Sequence, residues 1–166
     1  MAPYDWTTFT KRVTVNARMA DIYKAWATQS GLEKWFLRSA AFTKPDLSHR
    51  GKDYLIQKGD TYLWLWHGFS DASNEKGKII EANGKNLLQF TFSGGCIVTV
   101  RLLNEGGESI VELEQSVIPT DGQSIANFHI GCMTGWTFYL ANLKSILEGG
   151  IDLRNKNDSI RNVINS

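Results

Sequence analysis

Two hydrophobic periods divide the chain. The first stretch, Asp5 to Val15, alternates, with Phe9, Val13 and Val15 on one parity and a lapse at Lys11. That predicts a strand. Residues 17–29 switch to helical spacing, with Met19, Ile22 and Trp26 on one side. Ser30 and Glu33 then stand in S-x-x-E order, a capping-box pattern that predicts a second short helix starting there. From residue 38 the pattern is one of strands and turns. The segment after Arg38 ends at Pro45. "KDYLIQ" and "TYLWLWHG" flank Lys58-Gly59-Asp60, and "GKIIEA" and "NLLQFTF" flank Asn83-Gly84-Lys85, so each pair reads as a hairpin. "CIVTVRLL" and "SIVELEQSV" continue the series. Consecutive runs joined by short turns make an antiparallel meander, because parallel neighbours need long crossovers.

Each strand has an apolar parity. Leu88, Phe90 and Phe92 alternate with Leu87, Gln89 and Thr91, and Val111, Leu113 and Val117 alternate with Glu112, Glu114 and Ser116. Gln115 interrupts the apolar side of the second set. One face is expected to be covered and the other wet. In "TYLWLWH" Tyr62, Trp64 and Trp66 alternate with Leu63, Leu65 and His67, and both parities are apolar enough for both faces to be covered.

The last periodic segment is the longest. On a helix of 3.6 residues per turn, His129, Met133, Trp136, Leu140, Leu143 and Leu147 share one stripe. Cys132, Tyr139 and Ile146 widen it, Asn142, Ser145 and Glu148 face away, and Gly149-Gly150 stops it. A start near Ser124 gives about 25 residues, or about 37 Å at about 1.5 Å per residue. That length crosses a whole sheet, and the covered face of the meander is the only large apolar surface to receive it. Residues 151–166 are polar and Asn-rich and read as a loosely held tail after a single domain over 1–150.

Composition narrows the function. The chain of 166 residues carries 18 basic and 17 acidic side chains, a net charge of +1. That balance, with no basic run, argues against nucleic acid as a partner. No apolar stretch approaches the roughly 18 residues of a membrane span, so no stable membrane insertion is expected. A cytoplasmic protein with two reduced thiols, Cys96 and Cys132, follows. Three scattered histidines and two distant cysteines give no zinc-like spacing, and no cofactor is implied. No pair of carboxylates suggests acid–base chemistry on the covered face.

Most of the aromatic content, six Trp, five Tyr and eight Phe, is expected in the core, and too many rings around one core can also leave a lined gap. A cavity between the long helix and the sheet is one outcome, lined by Tyr62, Trp64, Trp66, Phe90, Phe92, Gln115, His129, Met133, Trp136 and Leu140. His129, Tyr62 and Gln115 would fix polar groups there. Solid packing of the same residues is the other outcome. His129 precedes Cys132 by three residues, so a Cys-His nucleophilic pair stands beside the plainer reading of a core histidine bonded to backbone.

The order strand, two short helices, meander, long C-terminal helix resembles the helix-grip fold of START lipid-binding domains, polyketide cyclases and birch-pollen-type allergens. Within that superfamily "IYKAWATQSGLEKWF", "GKIIEANGKNLLQFTF" and "GWTFYLANLKSILEGGIDLR" resemble the branch homologous to the C-terminal domain of activators of the heat-shock ATPase chaperone. The resemblance covers about residues 6 to 150. It implies an α+β fold, a curved antiparallel sheet wrapped around the C-terminal helix, often with an apolar cavity between them. It does not imply one activity. A binding module for a small apolar or amphipathic molecule is the first expectation. A chaperone-associated interaction protein using an outer surface, and a cyclase- or hydrolase-like enzyme, are the alternatives.

Overall fold

Alternation becomes pairing over most of the chain. The computed structural model describes residues 1–164, so the last two positions of the expected tail lie outside the described residues. Strand β1 (Phe9–Thr14) is followed by α1 (Met19–Ala27) and α2 (Gln29–Trp35). Strands β2 (Ser39–Thr43), β3 (Thr61–Leu65), β4 (Asn74–Ala82), β5 (Leu87–Phe92), β6 (Cys96–Glu105) and β7 (Glu108–Ser116) come next. All pairings are antiparallel, in the order β1-β7-β6-β5-β4-β3-β2. The chain closes with α3 (Gly122–Ser124), a π-helical segment (Ile125–Gly131) and α4 (Cys132–Leu147). This is the α+β helix-grip arrangement, and α4 lies on the covered face as its stripe requires. Trp136, Leu140 and Leu143 are buried there, each contributing about 1.5–3 kcal/mol by leaving water.

Local chemistry departs from the expected pattern at identifiable points. The cap of α2 is Thr28, not Ser30: the Thr28 hydroxyl accepts from the Gly31 amide at 2.9 Å and donates to the Lys24 carbonyl at 2.8 Å. Glu33 does not bond back to the Ser30 amide; it accepts from the Ala40 amide at 3.0 Å and from Gln29 Nε2 at 2.9 Å. The hairpin expected at Lys58-Gly59-Asp60 is absent, because β3 pairs with β2 and β4. "KDYLIQ" instead bonds back to the helices, the Ile56 amide to Ala27 and the Lys52 carbonyl to the Ser30 amide. Asp60 is fully buried and accepts from the Arg50 guanidinium and the Gln57 amide, which folds this loop without strand pairing. The second hairpin is present, with Gly84 at φ +75° and a bulge between Ile79 and Glu81 that adds curvature.

Three positions expected on one side lie on the other. Leu63 is exposed, so β3 covers only the Tyr62–Trp64 face. Val117, at φ +60°, leaves the sheet and is exposed, and Ile118 re-enters the core. Asn142, expected to face away, is fully buried. Its Nδ2 donates to the Trp35 carbonyl at 2.7 Å and to Asp152 at 3.1 Å, and its Oδ1 accepts from the Leu153 amide at 2.7 Å. The long helix also departs from α geometry over Ile125–Gly131. Gln115 reaches this region from β7, its Nε2 donating to the Phe128 carbonyl at 2.9 Å.

The segment after Gly149-Gly150 is tied down at its start rather than loose. Arg154 is buried, and its guanidinium donates to the carbonyls of Leu37, Glu33 and Lys34 at 3.1, 3.1 and 2.8 Å. Asp152 accepts from the same guanidinium at 2.8 and 3.0 Å. Those carbonyls belong to the C-terminal end of α2 and the residues beyond it, where helical partners run out.

Candidate functional site

Most of the space between helix and sheet is filled. Tyr62 and Trp64 stack at 3.9 Å, Trp64 meets Phe90 at 5.2 Å and Phe92 meets Trp136 at 5.3 Å. Tyr62, Trp64, Phe90 and Leu140 are buried in this packing, and Met133 lies against it. The three polar side chains expected to meet a ligand all have partners within the protein. The Tyr62 hydroxyl donates to the Thr91 carbonyl at 2.5 Å, with its ring across Gly77, and burial pushes its phenol up. Gln115 bridges β7 to the helix, its Oε1 accepting from Trp136 Nε1 at 3.0 Å.

His129 is fully buried and latches the N-terminal segment. Its Nδ1 lies 2.9 Å from the Trp6 carbonyl, which can only accept, so in the neutral imidazole Nδ1 carries the proton. Nε2 is then left to accept from the Tyr4 hydroxyl at 2.8 Å. The rings of Tyr4, Trp6 and Phe9 surround it within 5.4 Å. Both ring nitrogens are engaged away from Cys132, so the nucleophile–base pair allowed by the spacing is not made. Burial also pushes the Cys132 thiol up, the opposite of an activated thiolate.

Among the described residues the most apolar opening is a groove at one end of the grip, apart from a larger, polar hollow of about 700 Å³ between β1, β7 and the end of α4. Two adjoining hollows, of about 190 and 420 Å³, share Trp66, Phe92, Gly135 and Tyr139. Phe36, Asn127, Gly131, Cys132 and Trp136 complete the inner hollow. Phe69, Glu75, Ser93 and Ile164 lie along the outer one. Of the residues expected to line a cavity, Trp66, Phe92 and Trp136 meet here, and the others do not. Desolvation pushes Tyr139 up to about 12, a sign of how dry this wall is.

Of the groove residues that were not anticipated, two stand apart from the apolar wall. Gly135 sits inside α4, where glycine costs about 1 kcal/mol relative to alanine. A Cβ built on it meets nothing within 4 Å, so the missing side chain leaves the groove open. Glu75 lies on β4, two residues before Gly77 and four before Ile79, and so shares their inward parity. Ending the strand at Gly77 hid it; extending the parity by two residues finds it. Its carboxylate accepts from the Ser93 hydroxyl at 3.1 Å, and desolvation pushes the carboxyl up. Among the described residues no group of three or more metal-binding side chains comes together, and no helix is long and apolar enough to cross a membrane.

Comparison with known proteins places this geometry. The family model described as "Activator of Hsp90 ATPase homolog 1-like protein" matches residues 16–148. No curated protein matches. Among solved structures, a Staphylococcus saprophyticus protein is similar at a TM-score of 0.65 and 15% identity, over 89% of this chain and 96% of that one. The Aha1 dimer from Colwellia psychrerythraea gives 0.65 and 20%, over 86% and 97%. A Nitrosomonas europaea protein gives 0.67 and 11%, over 89% and 97%. At these identities the likeness is one of fold.

Proposed function

Since the chain belongs to the Activator of Hsp90 ATPase homolog 1-like family, a fold branch built around the space between helix and sheet, we propose that it is a binding module for a small hydrophobic or amphipathic molecule. The seat is the end groove rather than the sealed interior. One observation carries this reading: a glycine stands in the interior of α4, where a side chain would fit without clash, beside Trp66, Phe92 and Tyr139. The volume of the two hollows and their mostly apolar walls suit a ligand with a ring or a short alkyl chain.

Cys132 reports on occupancy. It is half-buried on the groove wall, whereas Cys96 is fully buried. A raised thiol pKa leaves less thiolate at any given pH, so iodoacetamide is expected to alkylate Cys132 at pH 8 more slowly than a free cysteine. N-phenyl-1-naphthylamine, at about ten times its Kd, is expected to slow that reaction about tenfold further. Alkylation at an unchanged rate with saturating probe, across alkyl and naphthyl compounds, would remove the groove reading.

A second reading has its own observation. Tyr4, Trp6, Val117 and Ile130 are exposed on the surface around the N-terminal latch. With the family's description, this supports an outer contact with a chaperone. Its mark is a change in a chaperone's ATPase rate that persists when the groove is filled.

A further inference from the structure

Resting on the groove reading above, we infer that the groove selects amphipathic molecules whose polar end is a cationic nitrogen, seated against Glu75. Position is the first argument. Glu75 pairs with Trp64 across β3 and β4 and has the parity of Gly77 and Ile79, so its carboxylate stands on the side of the sheet that faces α4. Every other side chain on that parity of β3 and β4 near it is apolar or absent: Tyr62, Trp64, Gly77 and Ile79, with the Tyr62 hydroxyl bonded away to Thr91. A carboxylate so placed is costly unless a partner is supplied.

The second argument is the missing partner. Among the described residues no Lys, Arg or His forms an ion pair with Glu75, and Ser93 alone supplies its hydrogen bonds. Of the basic side chains on neighbouring segments, Arg38 pairs with Asp71 at 2.6 Å, and Lys76 is exposed on the opposite parity of β4. Ser93 supplies a hydroxyl, not a charge, so the carboxylate retains capacity for a cation. Burial pushes its carboxyl up, as an uncompensated charge in a dry site requires.

The third argument is the wall. Trp66, Phe69, Phe92 and Tyr139 line the same hollow as Glu75. Aromatic faces attract ammonium groups, and the attraction grows as water is excluded. An apolar slot that ends in a carboxylate edged by rings is therefore complementary to an alkyl- or arylammonium ion. It is neutral toward an alcohol and repels a fatty-acid carboxylate, since the outer hollow offers an anion no cationic side chain.

The test uses octylamine, octanol and octanoate, which share a chain and differ only in the head. Each is titrated into the full chain with Cys132 protection and tryptophan fluorescence as readouts. Octylammonium is expected to bind about tenfold tighter than octanol, and octanoate weakest. Glu75→Gln keeps the shape and the Ser93 contact. It is expected to bring the amine to the level of the alcohol while leaving octanol unchanged. Equal binding of the three probes by the wild-type chain would overturn the cationic inference and leave the groove standing. So would equal weakening of amine and alcohol in E75Q. Failure of all three probes to protect Cys132 would overturn the groove reading and this inference together.

Discussion

Gly135→Leu is expected to weaken binding of any groove ligand tenfold or more without destabilising the protein. The two effects have one cause. Glycine inside a helix loses more conformational freedom on folding than any other residue and packs nothing, so replacing it by alanine contributes about 0.5–1 kcal/mol. At Gly135 there is no compensating clash, because an added Cβ has no atom within 4 Å. Gly135→Ala should therefore raise Tm by about 1–4 °C in a chain of this size. Leucine extends the side chain into the space bounded by Trp66, Phe92 and Tyr139, where it covers the rings a ligand would touch. The expected result is a loss of affinity of tenfold or more for octylamine and N-phenyl-1-naphthylamine, with Tm held or raised. Cys132 should also alkylate more slowly without ligand. Unchanged affinity in the leucine variant would show that ligands bind elsewhere. A fall in Tm would show that the glycine serves packing.

Arg154→Ala is expected to be strongly destabilising, although the residue lies beyond the last helix. Its guanidinium joins Asp152 to the Leu37, Glu33 and Lys34 carbonyls from a site only 6% exposed. Removing it leaves backbone acceptors without donors at the end of α2, which costs about 3 kcal/mol in total. That corresponds to a drop in Tm of about 6–12 °C. Lysine keeps the charge but not the fork, so Arg154→Lys should recover only part of the loss. A chain cut after Gly150 should lose more than Arg154→Ala, because it also removes the Asp152 and Leu153 partners of buried Asn142. Acid should narrow the difference, because the share that rests on ionised Asp152 is lost while the bonds from Arg154 to the three carbonyls remain. Burial alone would raise the Asp152 carboxyl, but bonds from Arg154 and Lys156 outweigh it and hold the group well below the usual carboxylate range. A depressed folded value means the contribution is full above the unfolded pKa, about 3.9, and is lost as pH falls through the folded one. Thermal melts from pH 7 to pH 2 check this. A wild-type advantage that stays constant across that range would contradict it.

The parts of the fold that could be read from the sequence are those where a period runs unbroken. Leu88, Phe90 and Phe92 in β5, and Trp136, Leu140 and Leu143 in α4, are decided by burial alone, and burial repeats at 2 and 3.6 residues. The Asn83-Gly84 turn was legible because the left-handed backbone at Gly84 selects glycine. Polar residues with distant partners were not legible. Asp60 looked like a turn residue and Asn142 like a solvent-facing one, because nothing local announces Arg50 or the Trp35 carbonyl. Arg154 looked like tail for the same reason, its acceptors lying more than a hundred residues earlier.

The candidate site was half legible. Trp66, Phe92 and Trp136 were in view as aromatic positions of the right parity, but sequence could not say which rings would pack on each other. The stacking of Tyr62 on Trp64 and the latch of His129 on Tyr4 and Trp6 are pairings between elements, set by register and by a segment outside the repeat. Gly135 and Glu75, which give the groove its room and its polarity, are exceptions to the apolar pattern. A pattern argument passes over them.

The indole N–H resonances of the six tryptophans, followed by NMR through an octylamine titration, test the central claim most directly. Trp66 on the groove wall and Trp136 beneath it should shift first and saturate together, with Trp6 on the N-terminal latch unmoved. Shifts led by the sealed Trp26 and Trp64, or confined to Trp6, would place the molecule in the interior or on the outer surface and contradict a ligand seat at the groove.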